Sequence, residues 1–168
     1  MSSCDRRKFL ALVGASSLLS GCFRPMLAED SAGAEIRGKI ILPPINDRFS
    51  YHLSSELEDR LGHTQDAQYR LVVTTKLTEQ GLAITRNNAV TRRRIFATAQ
   101  WALYPIGSEK PVLHDRTITQ SGYNATSSLY SARVTKEDIE RRLAVDLGQR
   151  ISRTILARAS QLEKAGAS

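Results

Sequence analysis

The sequence predicts an α+β domain: two helices packed on one face of a four-stranded, mostly antiparallel sheet, in the order β-α-β-β-β-α, preceded by a cleavable N-terminal signal. Three observations carry that expectation. Apolar residues recur every fourth position in two segments, Phe49, Leu53, Leu57, Leu61 and then Ile139, Leu143, Leu147, Ile151, Ile155, which marks two helices with one apolar face each. Apolar and polar residues alternate in three segments beyond Tyr69, which marks strands with one buried face. The apolar run at residues 9–19 is eleven residues long, follows Arg6-Arg7-Lys8 and precedes small residues. That is the layout of an export signal; a membrane-spanning helix needs about 20 apolar residues.

The signal carries two further motifs. Arg6-Arg7-Lys8-Phe9-Leu10 resembles the twin-arginine export motif, although Asp5 stands where Ser or Thr is usual, so ordinary Sec export stays open. Leu19-Ser20-Gly21-Cys22 resembles the bacterial lipobox, in which the cysteine thiol is acylated and becomes the new N-terminus. Residues 1–21 are therefore expected to be removed as a lipoprotein signal, with Cys22 as the site of lipid attachment. Burial of acyl chains contributes about 0.8 kcal/mol per CH₂, and more than one chain is needed for stable anchoring. Residue 23 is Phe and not Asp, which by the enterobacterial sorting rule resembles an outer-membrane destination. With Cys4 in the signal and Cys22 under lipid, no thiol remains for a disulfide, a nucleophile or a metal site. The covalent lipid is the one non-protein group expected, with no cofactor and no metal.

Residues 22–37, with Pro25, Gly33 and mixed charge, read as a lipidated tether, and residues 38–165 as one domain. A short strand over Lys39, Ile40, Ile41 and Leu42 is stopped by Pro43-Pro44. The first helix follows, with Ser50 able to cap its start and Gly62 its end. A strand then runs from Tyr69. Near Gly81 it either continues through a bulge or opens a long hairpin. Residues 90–104 read as one long strand. Ile95, Ala97, Ala99, Trp101 and Leu103 line one face of it, and Arg92, Arg94, Phe96, Thr98, Gln100 and Tyr104 the other. Arg93 belongs to the first face, beyond the part that the helices cover. Residues 105–111 form a hairpin loop and residues 112–123 the last strand, which completes a meander. Residues 124–132 read as a loop of small residues. Thr135 with Asp138 resembles a capping box that opens a final helix of about seven turns.

The chain carries a formal charge of +7, and its densest excess is in the middle: residues 69–104 hold six basic side chains and one carboxylate, Glu79. For an exported protein such an excess points to a phosphorylated lipid or an acidic protein surface, and not to nucleic acid. Catalysis finds no footing. His52, His63 and His114 have no second His or carboxylate at ligand spacing on a clear site face, and no nucleophile elbow, P-loop or dinucleotide fingerprint occurs. Glu56, Glu58, Asp59, Glu137 and Asp138 are expected on solvated helix faces. The chain is read as no enzyme.

The assembled pattern resembles the LPS-assembly lipoprotein (LptE) family, in particular its alphaproteobacterial branch. The resemblance lies in Leu19-Ser20-Gly21-Cys22-Phe23-Arg24-Pro25-Met26-Leu27, in Tyr69-Arg70-Leu71-Val72-Val73, in the run from Gly81 through Ile84-Thr85-Arg86-Asn87-Asn88 to Arg92, and in Tyr123-Asn124. It implies a non-enzymatic outer-membrane lipoprotein on the periplasmic face. Such a protein pairs with the β-barrel LptD to assemble lipopolysaccharide into the outer leaflet, and itself binds lipopolysaccharide. The family's lipopolysaccharide-binding positions are basic. Arg86 matches the one on the hairpin tip, and Arg133 and Lys136 both lie near a second one before the last helix. Arg92 and Arg94 join them on chemical grounds, because arginine forms bidentate, charge-assisted bonds to phosphate and Phe96 adds apolar contact beside them. The alternative is an auxiliary lipoprotein of a lipid-transport ABC system, which also joins a lipobox to a small α/β domain.

Overall fold

The computed structural model describes residues 31–84, 90–124 and 129–166. The segment expected as a signal, Cys22 and Arg86 lie outside the described residues. Part of the segment expected as tether is folded. Helix α1, Ala32–Glu35, is capped by the Ser31 hydroxyl, which accepts from the Ala34 amide at 3.2 Å. Ile36 behind it is buried in the core. Of the small residues there, Gly33 is buried and Ala32 packs against the core.

Strand β1 is only Ile40–Ile41, because Pro43 and Pro44 have no amide hydrogen to continue a ladder. Helix α2, Arg48–Leu61, follows with Phe49, Leu53, Leu57 and Leu61 all buried, as the fourfold spacing requires. Its cap is Asp47 and not Ser50. The Asp47 carboxylate accepts from the Ser50 amide at 2.6 Å, and the Ser50 hydroxyl accepts from the Asp47 amide at 2.8 Å. Ser50 is thus the third residue inside a capping box, and the carboxylate is the stronger acceptor for the free amides. Gly62 ends the helix at φ +82°, a conformation in which a side chain is strained.

Strands β2 (Tyr69–Ile84), β3 (Val90–Pro105) and β4 (Leu113–Asn124) form the meander, and the sheet order is β1-β2-β3-β4. β1 pairs parallel to β2 through the α2 crossover, and the other two pairings are antiparallel. Of the two readings at Gly81, the strand that continues through a bulge is the one observed. β2 continues past it, with register shifts between Gly81 and Ala83 and between Ala83 and Ile84.

The last helix starts earlier than expected. Helix α3 is Leu129–Ala157, so Thr135 and Asp138 lie inside it and cap nothing. Asp138 instead pairs with Arg141 at 2.6 Å and Arg142 at 2.7 Å, one turn on along the same helix. The chain turns at Arg158 into a short helix α4, Ala159–Gly166, which reaches α1. Ile139, Leu143, Leu147, Ile151, Ile155 and Leu162 are all buried.

Both long helices cover one sheet face, where they meet Leu71, Ile95, Ala97, Ala99, Trp101 and Leu103. Where α2 crosses α3, a Cβ on Gly148 would stand 2.9 Å from Glu56 Cγ and 3.4 Å from the Leu53 carbonyl oxygen. Glu56 is therefore not on a solvated face: its side chain is 16% exposed, pressed into this crossing and bonded to Arg60 at 2.5 Å. Among the described residues, no helix is long and apolar enough to cross a membrane.

Candidate functional site

The β2–β3 hairpin and α3 both overrun the core at the same end of the domain. The first core residue of β3 is Ile95, and Arg92, Arg93 and Arg94 precede it. The first core residue of α3 is Ile139, ten positions into the helix, which at about 1.5 Å per residue leaves roughly 15 Å of helix beside the hairpin. This overhang carries Tyr130, Arg133, Val134 and Lys136. Tyr130 is 79% exposed, an apolar body left in water at the helix start.

Glu79 ties the two overhangs together. Its Oε1 accepts from Arg93 Nη1 at 3.0 Å and from the Tyr123 hydroxyl at 2.6 Å, and its Oε2 accepts from Lys136 Nζ at 3.1 Å. The sheet register sets this up. Glu79 faces Ile95, Gly81 faces Arg93 and Arg93 faces Tyr123, so the side chains converge on the helix-covered side of three adjacent strands. The Tyr123 hydroxyl, Lys136 and Arg93 together hold the Glu79 carboxyl down to about 2, against the opposing effect of burial. Burial, and then the bond to Glu79, push the Tyr123 hydroxyl up to about 12.

The other sheet face has no helix over it. Its described residues include Arg70, Lys76, Arg92, Arg94, Arg116 and His114, while by strand register Glu79 and Asp115 alternate to the covered side. Arg94 Cζ lies 6.0 Å from the centre of the Phe96 ring and Arg70 Cζ 5.5 Å from that of Tyr104, so each of these cations sits beside an aromatic ring. Val72 and Ile118 are exposed there. A shallow hollow of about 580 Å³ opens between Val72, Gln100, Tyr104, His114 and Arg116, with Asp115 also at its lining. Such a face offers cations and apolar contact together, which suits an anionic amphiphile or an acidic surface.

The expected site residues thus divide. Arg92 and Arg94 lie on the open face, as alternation requires, and Arg93 lies on the opposite one. Arg133 is exposed on the α3 overhang, and Lys136 is held by Glu79. Cys22 and Arg86 lie outside the described residues. Glu79 and Tyr123 were not among the expected residues, although Glu79 had a signal: it is the one carboxylate among six basic residues across residues 69–104. Among the described residues, no group of His, Cys, Asp or Glu is arranged to hold a metal.

A family model described as LptE, lipopolysaccharide-assembly, matches residues 37–155. No curated protein matches the sequence. Solved structures do match in fold. A protein of Caulobacter crescentus CB15 described as a lipoprotein superposes with a TM-score of 0.59 at 17% identity, covering 77% of this chain and 96% of that one. Rare lipoprotein B from Shewanella oneidensis gives 0.57 at 14% identity, covering 70% and 91%. A minor lipoprotein from Acinetobacter baumannii gives 0.58 at 17% identity, covering 71% and 90%.

Proposed function

The chain belongs to the LptE lipopolysaccharide-assembly family, and from that premise we propose that it is an outer-membrane lipoprotein, anchored through Cys22. In this reading it pairs with an LptD-type β-barrel and helps it assemble lipopolysaccharide into the outer leaflet, without catalysis. The observation that carries the reading is the joining of Arg93 and Lys136 on Glu79, which gathers the basic residues of the hairpin and of α3 at one end of the domain. Lipid A phosphates are anionic and sit beside acyl chains. Arg92, Arg94 and Arg133 with Phe96, Tyr130 and Val134 supply both kinds of contact at that end.

Two measurements test it. Tagged protein extracted from outer membranes in mild detergent is expected to bring a large β-barrel with it; a preparation that never does so removes the barrel partnership. Purified protein is expected to bind lipopolysaccharide with an affinity that falls as salt rises, because exposed charges are screened. Binding indifferent to salt would remove the basic end as the site.

A further inference from the structure

We infer that Glu79 is a built-in counter-ion of this basic end. It occupies Arg93 and Lys136 in the free protein and gives them up to the phosphate of an anionic lipid, so that it sets how tightly the lipid is held. The inference rests on the lipopolysaccharide-binding reading above and adds to it a residue of opposite charge.

The geometry supports exchange over a fixed structural bond. Arg93 and Lys136 approach Glu79 from different elements, at 3.0 and 3.1 Å, and neither is sealed in: their side chains are 44% and 46% exposed. Glu79 is the less accessible partner, 24% exposed, and the 2.6 Å bond from Tyr123 fixes it from the strand beside them. The carboxylate is therefore held in place while the two cations on it remain within reach of solvent. An arriving phosphate has more acceptor oxygens than Glu79 and can take Arg93 in a bidentate bond, which the single Nη1 contact to Glu79 leaves unused. Exposed ion pairs of this kind are weak, so exchanging them costs little. A binding site that must also release its lipid gains from such a competitor: when the lipid leaves, its cations are already provided for. Among the described residues, no carboxylate bonds Arg92 or Arg94 on the open face, so Glu79 neutralises one part of the described basic end and leaves the other without a described counter-ion.

The test titrates the purified full chain in detergent with lipopolysaccharide, and separately with inorganic pyrophosphate as a source of phosphate without lipid. Glu79→Gln keeps an acceptor for Tyr123 and removes the charge. It is expected to tighten lipopolysaccharide binding roughly threefold to tenfold, from two weak ion pairs released. Glu79→Asp keeps the charge but shortens the reach, so it is expected to tighten binding as well, by less; it also serves as the readout if Glu79→Gln fails to fold. Glu140→Gln is the control. Glu140 acts on Tyr123 by its charge and lies one turn from Lys136, so its removal changes the charge of this end while the bonds of Arg93 and Lys136 to Glu79 remain. Tightening by both Glu79 variants and not by Glu140→Gln supports the inference. Equal tightening by Glu79→Gln and Glu140→Gln would reduce the effect to net charge and overturn it. Unchanged or weaker binding by both Glu79 variants overturns it too, and with normal wild-type binding it does so while the functional reading stands. Tightening for pyrophosphate alone overturns the lipid as the exchanging ligand. If only the Glu79 variants bind lipopolysaccharide, masking is supported. If no form binds, both the inference and the reading fall.

Discussion

Glu79 on β2 and Lys136 on α3, 57 residues apart, form a 3.1 Å ion pair that fastens the overhanging start of the long helix to the overhanging hairpin. Neither residue belongs to the apolar core, so this contact and its branches to Arg93 and Tyr123 hold an end of the molecule that burial does not.

That pairing predicts an acid-dependent component of stability. Folding lowers the Glu79 pKa from 4.5 to about 2, so the unfolded chain takes up the proton first as pH falls. The contribution is fully present above about pH 4.5 and is lost as pH falls toward 2. Denaturant midpoints measured across this range are expected to fall less steeply for Glu79→Gln than for wild type. Parallel curves would show that the carboxylate contributes nothing in this window.

Gly148→Ala is expected to destabilise the protein by about 1–3 kcal/mol, the usual cost of overpacking. The added methyl would meet Glu56 Cγ at 2.9 Å and Cβ at 3.0 Å, near the root of that side chain, where it has little freedom to swing away. Urea unfolding reads the loss directly. A companion Glu56→Ala change is expected to recover part of it, because it removes Cγ from the contact.

The Trp101 ring is 3% exposed, and its indole N–H donates to the Thr117 hydroxyl at 3.0 Å on the adjacent strand. Thr117→Val keeps the shape and removes the acceptor, leaving a buried donor unpaired at a cost of about 1–3 kcal/mol. Thermal melting is expected to show the loss while the tryptophan fluorescence of the folded state changes little.

Asp47→Ala removes the carboxylate half of the α2 capping box, at an expected cost of about 1 kcal/mol. Ser50→Ala removes the hydroxyl half, which accepts at 2.8 Å from the Asp47 amide. Because the halves share one helix end, the double variant is expected to cost less than the sum of the singles, and a double-mutant cycle measures the difference.

Replacing both Arg92 and Arg94 by Asp is expected to weaken lipopolysaccharide binding by at least about tenfold and to flatten its salt dependence. The same change at Arg70, at the other end of the open face, is expected to weaken it far less. Equal losses would spread the site over the whole face.

Much of the fold was legible because it follows from period. The fourfold spacing of Phe49, Leu53, Leu57 and Leu61 and the alternation from Ile95 to Leu103 name the buried residues correctly, since a helix or strand has few ways to hide one apolar side. Helix ends were read less well. Asp47 and Ser50 both suit a cap, and only the path of the chain decides which faces the free amides. The start of α3 at Leu129 was hidden because its first turns, with Tyr130, Arg133 and Val134 exposed, lie outside the core, so the fourfold apolar spacing does not extend to them.

The sequence by itself determined the two amphipathic helices, the long strands, the separation of Arg93 from Arg92 and Arg94, and the excess of basic residues around a lone carboxylate. These are local properties, fixed by spacing along the chain. Only the tertiary structure decided that Glu79 receives Arg93, Tyr123 and Lys136 together. That meeting depends on strand register and on where α3 crosses the sheet, and both are set by how the apolar faces pack. The same packing decided that one sheet face stays open, because burying both helices on one side leaves the other side's cations facing outward.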